Sequence, residues 1–145
     1  MRIAIASDHA GFELKKHLTG YLWKQGYEVN DMGTDSPECT DYPDYGHPLA
    51  EAVEKSEYKY GISICGSGNG INMTANKHQG IRSALCWNEE IAVLARKHNN
   101  ANICALPGRF ITFEEAVVIV RAFLNTDFEG GRHERRIKKI PVRQN

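Results

Sequence analysis

The sequence predicts an α/β protein built on one open, roughly five-stranded parallel sheet with helices on both faces. Two observations carry this. Short apolar runs of strand length recur along the chain, and nearly every run is followed by a stretch with helical spacing of its apolar residues. The alternation continues to the last helix without an internal repeat or a low-complexity segment. In order, "RIAIAS" reads as the first strand, and Phe12, Leu14, Leu18, Tyr21 and Leu22 give the first helix its apolar face before Gly26 stops it. "YEVNDMG" reads as the second strand. "TDSPECTDYPDYG" carries two prolines and several turn formers and reads as a long loop, after which "HPLAEAVEKSE" returns to a helical pattern. "YGISIC", "IRSALC" and "NICALP" are further strands, followed by helices over 70–77, 89–98 and 112–125. Gly130 and Gly131 then lead into the basic tail "RHERRIKKIPVRQN".

Composition narrows the function. With 145 residues, 41% hydrophobic and 25% charged, the chain has the content of one soluble domain with one sizeable core, residues 1–145. Eighteen basic residues balance eighteen acidic ones, so no overall positive field gathers nucleic acid or anionic lipid, and the expected partner is a small molecule. The first apolar stretch ends at Asp8 after too few residues for a signal peptide, and no run reaches membrane-spanning length, so the expected location is the cytoplasm. Cys39, Cys65, Cys86 and Cys104 are widely spaced with no CxxC pair, which fits reduced thiols and neither a zinc site nor a disulfide framework.

In an open parallel sheet, ligands bind outside the carboxyl ends of the strands. That selects Asp8 and His9, then Cys65 to Gly70, then Trp87 and Asn88, then Pro107 to Arg109. The loop "CGSGNG" is the sharpest candidate. Glycines at Gly66, Gly68 and Gly70 let the backbone approach a ligand and turn successive N–H groups toward one point, while the following helix start favours a thiolate at Cys65. Cys65 thereby becomes a credible base. The same residues also fit a plainer reading, a buried strand end followed by a tight turn. The loop lacks the spacing of a dinucleotide fingerprint and the Gly-Lys-Ser/Thr of a P-loop. Asp8 equally reads as a helix cap, and His98 as a helix-end residue interacting with the dipole, with Asn99 as a left-handed cap. Arg132 and Arg136 lie four residues apart and share a face if the tail is helical; a basic tail is otherwise simply solvated.

Taken together, "SDHAGFELK", "TDYP", "CGSGNGINMTANK", "GIRSALC", "ARKHNNANI", "LPGR" and "FEGGRHERR" run in this order over nearly the whole chain and resemble the ribose-5-phosphate isomerase B family, which also includes galactose-6-phosphate isomerase subunits. The resemblance implies a Rossmann-like three-layer α/β/α sandwich and a cofactor-free, metal-free interconversion of ribose 5-phosphate and ribulose 5-phosphate, a step of the pentose phosphate pathway. It also implies a homodimer or dimer of dimers whose sites are shared between subunits. Cys65 places the chain with the cysteine-type members, and Ser67 stands where many of them carry threonine, keeping the hydroxyl.

Carried over residue by residue, the resemblance makes Cys65 the proton-transfer base, Ser67 a holder of a substrate or enediolate oxygen, and His98 the group that opens the sugar ring. Gly66, Ser67, Gly68, Asn69 and Gly70 form the oxyanion site. Asp8 and His9 contact sugar hydroxyls, Asn99 belongs to the substrate-binding set, and Arg109, Arg132 and Arg136 bind phosphate, with Arg135 left on the surface. Tyr42 lines the pocket or packs beneath its loop. His17, His47, His78 and His133 have no assigned role, and Cys39, Cys86 and Cys104 are read as structural. The shared site implies that His98 and part of the arginine set reach the Cys65 loop across the interface, with Gly130-Gly131 as a hinge that lets the tail leave its own subunit. Competing readings are an isomerase of allose or galactose 6-phosphate and a nonenzymatic nucleotide-binding module. A cysteine phosphatase is disfavoured, because no arginine closes over the thiolate in "CGSGNGI".

Overall fold

The structure is a computed structural model that describes residues 1–142. Five parallel strands form one sheet in the order β2-β1-β3-β5-β4. They are β1 (Arg2–Ser7), β2 (Glu28–Asp31), β3 (Tyr60–Cys65), β4 (Ser83–Leu85) and β5 (Ile103–Pro107). The helices are α1 (Phe12–Lys24), α2 (Tyr42–Glu54), α3 (Asn69–Ala75), α4 (Glu89–Asn99), α5 (Phe113–Leu124) and a short α6 (Arg132–Ile137). Every residue of β3 and β5 is buried, which explains their continuous apolar runs: a parallel strand covered on both faces has no solvent side to alternate with. The fold class and the Rossmann-like α/β/α sandwich are as expected.

Two layers cover the sheet. Leu14, Leu18 and Leu22 of α1 pack with Ala92 and Ala95 of α4 and Ile119 and Phe123 of α5 against one face. Ala50 and Val53 of α2 meet Ala75 of α3 on the other. Each fully buried Leu, Ile or Phe contributes about 1.5–3 kcal/mol, so the apolar stripes account for the layering. The order of strands has its switch point between β1 and β3. Chain leaves β1 toward one edge and leaves β3 toward the other, and the crevice between these exits is where an open α/β sheet takes its ligand.

Two local readings are corrected. The loop through "TDYPDYG" ends early, because α2 begins at Tyr42, with Pro43 in its first turn. A proline there costs nothing, since the first N–H groups of a helix have no internal partner, so a residue that signals a turn serves equally as a helix start. The left-handed cap of α4 is Asn100, with φ 45° and ψ 45°, and Asn99 is the last helical residue.

Candidate active site

Parallel register brings the ends of β1, β3 and β5 together. Ser7 pairs with Ile64 and Cys65 with Pro107, so Asp8, the Cys65 loop and Arg109 emerge side by side. Cross-links then fix the three exits. Asp8 N–H donates to Ile64 O at 3.2 Å, Gly108 N–H to Cys65 O at 2.9 Å, and Arg109 N–H to Gly66 O at 3.0 Å. Gly68 has φ 78°, and a Cβ there would meet Leu85 Cδ1 at 2.5 Å and the Leu106 carbonyl at 3.0 Å, so this turn requires glycine. Among the described residues, the N–H groups of Gly66, Ser67 and Gly68 find no internal acceptor, which leaves three donors at the mouth of the crevice. Ser67 Oγ accepts from Asn69 N–H at 3.3 Å, and both residues are exposed.

Cys65 sits beneath this loop with 4% exposure. Cys86 and Cys104 are fully buried, and a hydrogen bond from Cys86 followed by burial pushes the Cys104 thiol well above its ordinary value, so that thiol is inert. Cys39, read as structural with the other two, is instead exposed. Asp8 does cap: its Oδ1 accepts from Ala10 and Gly11 N–H at 3.0 and 3.3 Å. His9 Nδ1 accepts from Thr40 N–H at 3.1 Å, and Thr40 Oγ1 accepts from His9 N–H, also at 3.1 Å. The Thr40 bond occupies Nδ1 as an acceptor and leaves the Nε2 position of a neutral His9 as a donor. The Arg109 side chain packs over Gly66, and the Tyr42 ring packs on Gly70, where a Cβ would collide with it.

The other expected residues lie at the opposite end of the sheet. α4 runs antiparallel to the strands, so its last turn, with His98 and Asn99, comes down beside the start of β5. Arg82, just before β4, donates from Nε to Asn99 O at 2.9 Å, and Gly61 N–H in β3 donates to Asn102 O at 3.0 Å, which marks this as the amino end. The four residue steps of β3 from Gly61 to Cys65 span about 13 Å. One chain therefore does not bring His98 to Cys65. Arg132 and Arg136 are exposed on α6, which packs on α4 at the same end as His98. Arg135 is exposed, as expected.

As far as Val142 the tail packs on its own chain, where the resemblance had it leave through a Gly130-Gly131 hinge. Glu129 N–H donates to Lys97 O at 3.1 Å, and Val142 pairs both backbone groups with the Gln79 amide at 2.9 and 3.0 Å. His133, which carried no expectation, is buried in this brace and stacks on His98 with centroids 4.2 Å apart and planes 11° from parallel. No sequence signal marked it: in a helical tail position 133 falls off the face that Arg132 and Arg136 share, and it is buried where they are exposed. Glu129 Oε1 lies 3.9 Å from His133 Nε2, and the trio has ligand-type atoms within 4.8 Å of one another. Nearly parallel stacked rings do not aim their lone pairs at one centre, so this arrangement is a stack and not a coordination sphere.

A cavity of about 540 Å³ beside the carboxyl end is lined by Asn88, Glu89, Thr112, Glu114 and Glu115 with Val118 and Ile119. Its acidic lining disfavours a phosphate. The Cys65 loop, with its free backbone donors and Arg109, is the better anion site.

The sequence profile of the Ribose/Galactose Isomerase family matches residues 3–140. Ribose-5-phosphate isomerase B of Escherichia coli is 45% identical over 96% of this chain and 93% of that protein. A crystal structure of a ribose 5-phosphate isomerase from Thermotoga maritima matches with a TM-score of 0.95 and 54% identity, over 97% of both chains. That of ribose-5-phosphate isomerase B from Mycoplasma genitalium, with bound ribulose-5-phosphate, matches with a TM-score of 0.93 and 46% identity, over 96% of this chain and 93% of that one. On sequence and fold alike, the chain belongs to the ribose/galactose isomerase family.

Proposed function

We propose that this chain is a ribose-5-phosphate isomerase, interconverting D-ribose 5-phosphate and D-ribulose 5-phosphate at a site completed by a second copy of the chain. One observation carries the activity: near-full-length likeness to ribose-5-phosphate isomerases, one of them with ribulose-5-phosphate bound. The same names favour the five-carbon substrate over allose or galactose 6-phosphate and over a nucleotide-binding module.

The chemistry divides between the two ends of the sheet. His98 gives a proton to the ring oxygen and takes one from the C1 hydroxyl, which opens the ring to the aldehyde. Cys65 thiolate removes the C2 proton, and the electrons move onto the C1 oxygen to form the enediolate. The Gly66, Ser67 and Gly68 N–H groups hold that oxyanion, a kind of contribution worth about 3 kcal/mol per donor. Ser67 Oγ holds the neighbouring oxygen. After a proton passes from the C2 oxygen to the C1 oxygen, Cys65 returns its proton to C1, and ribulose 5-phosphate results. Asp8, His9, Asn69, Gly70 and Asn99 supply the remaining contacts to the sugar. Arg109, Arg132 and Arg136 grip the phosphate, and bidentate guanidinium contacts suit that group. No metal or cofactor takes part.

Two facts support the shared site. Cys65 and Arg109 occupy one end of the sheet, while His98, Arg132 and Arg136 occupy the other. Ser67, Asn69 and Arg109 also lie exposed on a crevice that one chain leaves uncovered. A homodimer, or a dimer of dimers, that sets the amino end of one copy against the carboxyl end of the other completes both sites. We place the enzyme in the cytoplasm, where free thiols persist; among the described residues no helix is long and apolar enough to cross a membrane.

The test mixes Cys65→Ala with His98→Asn, each inactive alone, and confirms subunit exchange. A mixed dimer then has one site with both residues intact and one with neither. Recovery of up to about half the wild-type activity per mixed dimer is expected. Confirmed exchange without recovered activity would place Cys65 and His98 in one site of one chain. Assay of the wild type on ribose 5-phosphate, allose 6-phosphate and galactose 6-phosphate checks the substrate; a preference for either hexose phosphate would overturn the five-carbon reading.

A further inference from the structure

A proton-transferring imidazole works only if its ring is held in the plane of the bond it serves. Among the described residues, the His98 ring makes no side-chain hydrogen bond, and what contacts its face is the stacked ring of His133 at 4.2 Å. His133 is itself well anchored. It is 6% exposed and lies in the first turn of α6, where its N–H donates to Gly130 O at 3.2 Å. The segment leading to it is tied to α4 at the two residues just before His98: Arg96 Nε donates to Thr126 O at 3.1 Å, and Glu129 N–H to Lys97 O at 3.1 Å. Beyond it, the Val142–Gln79 pair closes the brace. A platform so fixed, stacked on a ring that makes no side-chain hydrogen bond, sets that ring's plane.

We propose that His133 is the positioning residue for His98, a flat buried platform that keeps the His98 ring in the plane from which it opens the sugar. This rests on the reading of His98 as the ring-opening group. Its charge state fits the task. Burial first, then the neighbouring His98, Arg132 and Arg136, hold the His133 imidazole below its ordinary pKa, with Glu129 pulling the other way. A neutral platform does not repel the imidazolium that ring opening requires. His133 touches no reacting atom; it acts through His98.

The experiment compares His133→Phe, which keeps a flat ring, with His133→Leu, which keeps apolar volume without one. Each is assayed on ribose 5-phosphate, which arrives as a ring, and on a four-carbon aldose 4-phosphate, whose phosphorylated C4 oxygen cannot close a ring and which is therefore open-chained. Misplacing a catalytic group by about 1 Å costs up to about a hundredfold, so His133→Leu should lower kcat for ribose 5-phosphate by about ten- to a hundredfold, with KM and the open-chain reaction little changed. His133→Phe should restore most of that loss. In a His98→Asn background, His133→Leu should add nothing, because the residue it positions is gone.

Equal losses on both substrates for His133→Leu, a His133→Phe variant as slow as His133→Leu, or losses that multiply in the His98→Asn background would each overturn the positioning role. His98→Asn that slows both substrates equally would instead overturn the His98 reading, and the positioning role with it.

Discussion

The two ends of the sheet are built by different means. At the carboxyl end, the candidate site is mostly backbone: Gly66 to Gly70 form a turn held by Gly108 and Arg109 N–H bonds to the loop's own carbonyls, and the donors it presents are main-chain groups. At the amino end, the candidate site is all side chain. His98, Arg132 and Arg136 are held there by a tail that returns to pack on α4, with His133 as the contact between them. The donors of the first arrangement come from consecutive residues of one turn, pinned from β5 by Gly108 and Arg109. The second depends on contacts between residues more than thirty positions apart, such as His98 with His133. A site divided in this way should fail differently at its two ends.

The largest expected effect is chemical and confined to the carboxyl end. Cys65→Ala removes the proposed proton-transfer group beneath the loop while leaving every backbone donor in place, so kcat should fall by about 10²–10⁴-fold with little change in KM or melting temperature. Steady-state kinetics and calorimetry check this together. Turnover near the wild-type value would remove Cys65 from the mechanism and leave it a packed strand end.

The next effect is architectural, at the same end. Gly68→Ala forces a side chain into the left-handed region and against Leu85 and the Leu106 carbonyl. The conformational cost alone is about 1–2 kcal/mol. Chemical denaturation should show at least that loss, and kcat should fall with it, because the donors on either side of Gly68 shift. A variant of unchanged stability would mean the turn relaxes freely and that its backbone geometry is not what holds the donors.

The smallest effect belongs to the amino end and is read in pH. The folded chain holds His133 below the ordinary histidine value of 6.5, so the unfolded chain binds a proton there that the folded chain resists. That contribution to stability is fully present above the unfolded value and is lost as pH falls from it toward the lower folded one. Between about pH 7.5 and about pH 5.5, wild type should therefore lose more stability than His133→Phe. Equal losses would show that His133 titrates normally and that burial in the brace does not keep it neutral.

Much of the carboxyl end was legible because its signals are local. Apolar runs ending at Ser7, Cys65 and Pro107 locate three strand ends, glycines mark the turn, and parallel topology places such ends on one side of the sheet. Where reading failed, two local rules competed. Pro43 reads as a turn but sits in the first turn of α2, and either Asn99 or Asn100 can take the left-handed cap of α4; packing chose Asn100. His133 was invisible as a functional residue, since nothing adjacent to it in the chain distinguishes it from His17, His47 or His78.

Strand and helix content, the glycine turn with its thiol, and the family pattern follow from the sequence alone, because each depends on the conformational preferences and spacing of neighbouring residues. The order β2-β1-β3-β5-β4 does not, and neither does the return of the tail onto α4. Those are settled by which apolar faces cover each other once the whole chain is compact, a competition among distant segments that no single stretch encodes. For the same reason, only the tertiary structure separates His98 from Cys65: the distance between them is set by the antiparallel course of α4 against the strands. That course carries one half of the candidate site to the far end of the sheet, where a second chain can use it.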